Sequence, residues 1–200
     1  MRLTLSDLGQ VALLTFREPR RGMRALIEAD PPQVARLIAL VLMAVVAALL
    51  VHLGLKVAPL PDDENTAVQA LLGSPFRTAL VQLVVQQVTV FLIHFVGKAR
   101  GGSGRLADAL LAVVWLQALM VLLQGVQLLL LVVLPPLAVA ASYIAPPLFF
   151  WYISSFTAEV HQFRSVGRVF VGVVLTLLLL SFVLTFILLT LFGPEAFANV

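Results

Sequence analysis

Five long apolar blocks, each of the length needed to cross a bilayer, leave this chain few alternatives to a bundle of membrane-spanning helices. They cover residues 34–55, 76–95, 106–134, 137–157 and 169–192. Hydrocarbon offers no partner to an unpaired backbone group, so each block predicts a helix. Charged residues make up 12% of the chain. That is half the roughly 25% of a soluble domain, which fits the same reading. The expected fold class is all-α: a polytopic integral membrane protein with a five-helix transmembrane domain over 34–200. Residues 1–33 form an amphipathic interfacial N-terminal segment before it, and no separate soluble domain fits in what remains.

The basic residues are divided unequally between the two ends of these blocks. Arg2, Arg17, Arg20, Arg21, Arg24, Arg36, Lys98, Arg100, Arg105, Arg164 and Arg168 fall on one side, while Lys56 and Arg77 fall on the other with Asp62, Asp63 and Glu64. Lys and Arg are retained in the cytoplasm, so the N-terminus is expected inside and the C-terminus outside. The first apolar run starts after about 33 residues and has no small-residue cleavage site, so it reads as a retained signal anchor. Arg outnumbers Lys eleven to two, a bias that points to GC-rich bacterial coding and an inner membrane. A basic rim on one face attracts anionic lipid headgroups and requires no nucleic acid.

Residues 5–29 carry apolar positions at helical spacing, with Ser6 as a candidate cap, and Pro19 interrupts them. Beyond it Met23, Leu26 and Ile27 lie on one side and Arg20, Arg21 and Arg24 on the other, the pattern of a helix in the headgroup region whose Arg side chains reach phosphates. The longest loop, 56–75, is expected to hold a short helix over Asn65–Leu72 behind its acidic run. The loop 97–108 carries Gly97, Gly101, Gly102 and Gly104 among Lys98, Arg100 and Arg105. It lacks a preceding strand and the Lys-Ser/Thr ending of a phosphate loop, so it reads as a lipid-facing hinge. Pro135-Pro136 marks the turn between the third and fourth spans, and Pro146-Pro147 predicts a kink inside the fourth, with a re-entrant segment as the alternative.

The spans contain amides in place of charges. Gln82, Gln86 and Gln87 lie in the second span and Gln117, Gln124 and Gln127 in the third, which predicts polar packing between the two helices. Ionisable groups gather at the inner rim: His94, Asp108, Glu159 and His161. Glu159 and His161 are two residues apart and so face different ways on a helix, and the H-E-x-x-H spacing of a zinc site is missing. An ion-pair network joining Glu159 or Asp108 to Arg105, Arg164 or Arg168 is the expected arrangement. No cysteine is present, and no residue pattern indicates a cofactor or a catalytic site.

Three stretches carry a family resemblance: F-R-E-P-R-R-G-M at 16–23, H-F-V-G-K-A-R-G-G-S-G-R-L-A-D-A-L at 94–110 leading into W-L-Q at 115–117, and A-E-V-H-Q-F-R-S at 158–165. With these, the chain resembles the Yip1 domain family in its bacterial branch. The resemblance implies five spans, N-terminus inside and C-terminus outside, and no enzymatic activity. Eukaryotic relatives bind small GTPases through a long cytosolic N-terminal region, of which only about 30 residues have a counterpart here, so that role does not transfer.

The functional expectation is a non-enzymatic membrane adaptor. Its basic face, with Arg17, Arg20, Arg21, Arg24, Lys98, Arg100, Arg105, Arg164 and Arg168, would hold anionic lipid and a membrane-protein partner or a second copy of the chain. The alternative is a small-solute permease or transporter subunit lined by the glutamines of the second and third spans.

Overall fold

Proline sites punctuate the chain, and at each of five of them a helix begins. Pro lacks a backbone donor, which is harmless only in the first turn of a helix, where the N–H has no intrahelical partner. In the computed structural model, which describes residues 5–59 and 72–192, Pro19 opens α2 (Pro19–Ala29) after α1 (Leu5–Arg17). Pro32 precedes α3 (Gln33–Val57), and Pro75 opens α4 (Pro75–Ala99). After α5 (Leu106–Val133), Pro135-Pro136 begins α6 (Pro135–Ser142). Pro146-Pro147 lies in the first turn of α7 (Ala145–Val160), and α8 (Val166–Phe192) ends the described chain.

The described residues contain no strand, and five helical stretches are long and apolar enough to cross a membrane. Their bounds match the five blocks to within a few residues. The fourth stretch differs in kind from the expected kinked helix. It is two helices meeting at Tyr143-Ile144, so the break precedes Pro146-Pro147 and leaves them where their missing donors cost nothing. Gln127 Nε2 donates to the Ala141 carbonyl at 3.1 Å, tying α6 back onto α5 beside that break.

α5 is the central helix. It packs against α3, α4, α6 and α7, and 56% of its most apolar stretch is buried, against none of the corresponding stretch of α8. α8 rests mainly on α7. Apolar side chains of α8 are exposed over most of its length, as expected for a helix facing lipid.

α1 and α2 do not lie apart from the bundle. Met23 and Leu26 of α2 are fully buried against α5 and α7, and Trp115 Nε1 on α5 donates to Thr15 Oγ1 on α1 at 3.1 Å. Gly22 lets the two short helices close on each other, because a Cβ there would stand 2.1 Å from Thr15 Oγ1. Ser6 falls within α1, not at its cap. The acidic run 62–64 and residues 65–71 of the expected loop helix lie outside the described residues; Leu72 is described, and its carbonyl oxygen lies 2.9 Å from His52 Nε2.

Candidate functional site

At the basic end of the bundle, α7 delivers Glu159 into a fully buried position. A buried carboxylate needs charged or hydrogen-bonding partners, since desolvation alone would cost several kcal/mol. α2 supplies them: Arg24 Nε donates to Oε1 at 2.7 Å and Arg20 Nε to Oε2 at 2.9 Å. Arg20 and Arg24 are one turn apart on the flank of the buried face formed by Met23 and Leu26, so one helix inserts its apolar residues and clamps the carboxylate together. The expected ion-pair network therefore exists, but Glu159 takes its partners from the N-terminal segment and not from Arg164 or Arg168.

Asp108, the other acid of the rim, is paired as expected with Arg105, through Nε to Oδ2 at 2.8 Å and Nη2 to Oδ1 at 2.9 Å. Sequence reasoning gave no role to Arg36, which completes this group. It is 3% exposed and donates to the Pro31 carbonyl, the Ala107 carbonyl and Asp30 Oδ1, with Asp108 Oδ1 at 3.6 Å. Arg105 also reaches Asp30, so two Arg and two Asp side chains join the start of α3 to the start of α5. The hydrogen bonds to Asp108 and Glu159 raise the pKa of Arg105 and Arg24 above the ordinary guanidinium value.

The Gly-rich loop is a socket, not a lipid-facing hinge. α4 ends in paired bonds, Gly102 N–H to the Gly97 carbonyl and Gly101 N–H to the Lys98 carbonyl, with Gly101 at φ +83°. This closure requires a left-handed residue, which glycine supplies without strain. α7 ends the same way, with Phe163 N–H on the Ala158 carbonyl, Gln162 N–H on the Glu159 carbonyl, and Gln162 at φ 58°. The two ends meet, and His161 fills the space between them. Its Nε2–H donates to the Ile93 carbonyl at 2.9 Å, and its Nδ1 accepts the Gly104 N–H at 3.2 Å. A Cβ at Gly97 would stand 2.2 Å from the ring, and one at Gly102 2.3 Å. Burial pushes the His161 pKa down, outweighing the opposing bond to Ile93, so the ring is held neutral.

Glu159 and His161 thus point to different partners, as their spacing predicts. The structure brings the three motif stretches together around the last turn of α7: 16–23 on Glu159, and 97–104 on His161. His94 is half-buried beside Phe95.

Of the nine cations expected to face lipid or a partner, four are engaged. Arg20 and Arg24 hold Glu159, Arg105 holds Asp108, and Arg21 pairs on the surface with Glu18 at 2.9 Å. Arg17, Lys98, Arg100, Arg164 and Arg168 are exposed, and among the described residues none has a carboxylate partner.

The glutamines do not join α4 to α5. Gln86 is buried with neither side-chain oxygen nor nitrogen paired, while Gln82, Gln87, Gln117 and Gln124 are half-buried. Gln127 bonds α6 instead. The buried face of α4 runs through Gln86, Val90, Ile93 and Gly97, so its close packing rests on apolar contact and the glycine socket.

A family model described as the Yip1 domain matches residues 13–196, nearly the whole chain and all three motif stretches. The chain belongs to the Yip1 domain family. No curated protein and no solved structure matches it. Yip1 family members are known as non-enzymatic membrane proteins, and the five apolar helices make this one an integral membrane protein. The match begins at Leu13, within α1, and covers all of α2, so the helix that packs on α7 belongs to the family region.

Proposed function

We propose that this Yip1 family protein is a non-enzymatic membrane scaffold whose basic end lies in the cytoplasm and binds anionic lipid and a partner protein. Residues 1–33 are its cytoplasmic segment and 34–200 its membrane domain. The positive charge of that end supports the orientation, and the composition supports a bacterial inner membrane. The observation that carries the reading is the division of labour among the cations. Buried acids engage Arg20, Arg24, Arg36 and Arg105 in holding the fold, and Arg17, Lys98, Arg100, Arg164 and Arg168 on the same rim have no carboxylate partner among the described residues. Such cations act through headgroup phosphates and through acidic patches on other proteins.

The test must spare Arg20 and Arg24, since their loss strands Glu159. Replacing Arg17, Arg21 and Lys98 with Glu reverses surface charge and leaves both buried acids paired. Cross-linking in native membranes followed by mass spectrometry should show partners of the wild type falling away in this variant; an unchanged set of partners sinks the scaffold reading. The permease alternative draws no support from the cleft between α4 and α8, which none of the glutamines of α4 and α5 lines.

A further inference from the structure

α8 leans on α7 but stands off from α4, and a cleft of about 540 Å³ separates them. Its mouth, at the basic end, is formed by Arg100, Arg164 and Arg168. Its walls are mostly apolar, from Ile93 on α4 to Leu177 on α8, with Thr89, Thr157 and Thr176 among them. Gly172 sits in the α8 wall, and a Cβ there would lie 3.4 Å from Arg100 Nη1, so the guanidinium reaches across the cleft to the opposite helix. Thr157 faces into the same space. It is 7% exposed, and its Oγ1 has no hydrogen-bond partner. A buried hydroxyl without a partner costs free energy unless something in the cleft engages it.

We propose that this cleft binds one anionic phospholipid, its phosphate between Arg100, Arg164 and Arg168 and one acyl chain between α4 and α8. This deepens the scaffold reading by naming the lipid and its seat, and it rests on that reading for the side of the membrane. Dimensions favour a lipid over a helix. From Arg168 to Leu177 the cleft follows α8 for about 14 Å at the helical rise. One leaflet of hydrocarbon is about 15 Å deep, so an acyl chain hung from the cationic mouth ends where the cleft ends. A helix is about 10 Å across, and the cleft volume would enclose only about five residues of one. The charge pattern agrees: three cations at one end that have no carboxylate partner among the described residues, no ionisable group along the walls, and, of the hydroxyls that line the cleft, one (Thr157) left unpaired for a phosphate or ester oxygen.

Native mass spectrometry of the full chain in mild detergent tests this, with palmitoyl-oleoyl phosphatidylglycerol and the matching phosphatidylcholine as probes. The wild type should retain one phosphatidylglycerol per chain, about tenfold in preference to phosphatidylcholine. Arg164→Gln with Arg168→Gln should abolish that preference, and Thr176→Trp, which fills the cleft, should release both lipids. Equal retention of the two lipids by the wild type, or retention unchanged by the double Gln variant, overturns the proposal. So does a dimer that Thr176→Trp dissociates, which would mean a second copy occupies the cleft. Both arginines are exposed, so the double variant keeps the test valid if the Trp variant does not fold. Lipid retention that persists while the Arg17/Arg21/Lys98 variant keeps all its partners sinks the scaffold reading and leaves the cleft standing. Equal retention of the two lipids by the wild type, with partners falling away in that variant, does the reverse.

Discussion

Arg24 and Glu159, 135 residues apart in the chain, meet at 2.7 Å across the contact between α2 and α7. The pair is lopsided: the Glu159 side chain is 1% exposed, while Arg24 is 54% and its companion Arg20 31% exposed. Removing the carboxylate leaves arginines that water can still reach. Removing both arginines leaves a buried charge with no counter-ion. Arg20→Gln with Arg24→Gln should therefore cost about 3–5 kcal/mol, and Glu159→Gln distinctly less. Thermal unfolding of the purified chain in detergent checks the order. If Glu159→Gln proved the more damaging, the clamp would not work as described.

The socket around His161 makes a sharper steric prediction. Gly102→Ala places a Cβ 2.3 Å from the ring, and overpacking of that kind costs about 1–3 kcal/mol. His161→Ala removes the obstacle along with the ring's packing and hydrogen bonds. The two substitutions together should then cost less than the sum of each alone, a coupling of about 0.5–3 kcal/mol. Gly101→Ala meets no atom within 4 Å, so its cost comes from φ +83° alone and His161→Ala should not relieve it. Melting temperatures of the five variants, three single and two double, decide the matter. Equal coupling for Gly101 and Gly102 would refute the socket.

The five spans were legible because bilayer thickness sets their length and hydrocarbon sets their composition; both leave marks along the chain. The break before Ala145 was legible in principle, since a double proline is best tolerated in a first turn, but the apolar run across Tyr143-Ile144 hides it. The partners of Glu159 were not legible. Charge position showed an acid and several arginines on one rim, and nothing local distinguishes Arg24 from Arg164 until α2 folds onto α7. The glycines of the loop carried a signal for close approach without naming what approaches. His161 was one of three histidines, each with an ordinary explanation in its own segment.

Acidity should loosen the same socket. His161 is held neutral by burial, so its folded pKa lies below the ordinary value near 6.5 that it regains on unfolding. As pH falls through about 6.5 the unfolded chain takes up a proton that the folded chain refuses, and stability declines until the folded pKa is reached. The ring's contribution is therefore fully present above about 6.5 and is lost once pH has fallen below the folded pKa. Protonation also turns Nδ1 into a donor facing the Gly104 N–H. The drop in melting temperature between pH 7.5 and pH 5.5 should be larger for the wild type than for His161→Gln, which cannot titrate. Equal drops would assign the pH dependence to other groups.

Arg36 offers the most direct test of how the N-terminal helices are joined to the membrane bundle. Its guanidinium is almost fully buried at the Pro31-Pro32 bend and spreads its donors over three groups: the Pro31 carbonyl at 2.9 Å, Asp30 Oδ1 at 2.7 Å, and the Ala107 carbonyl on α5. Lysine retains the charge but concentrates its donors on one nitrogen, which cannot face three groups set around a planar fork. Arg36→Lys should cost about 1–3 kcal/mol, the loss expected when buried acceptors go unpaired. Arg36→Leu should cost more, because Asp108, 8% exposed, would then depend on Arg105 alone. Hydrogen exchange locates the damage. Amides of residues 36–40, the first bonded turn of α3, should exchange faster in both variants, while those of 111–119, deep in α5, should keep wild-type protection. A lysine variant as stable as wild type, or faster exchange spread evenly along α5, would show that the bend is held by something other than this arginine.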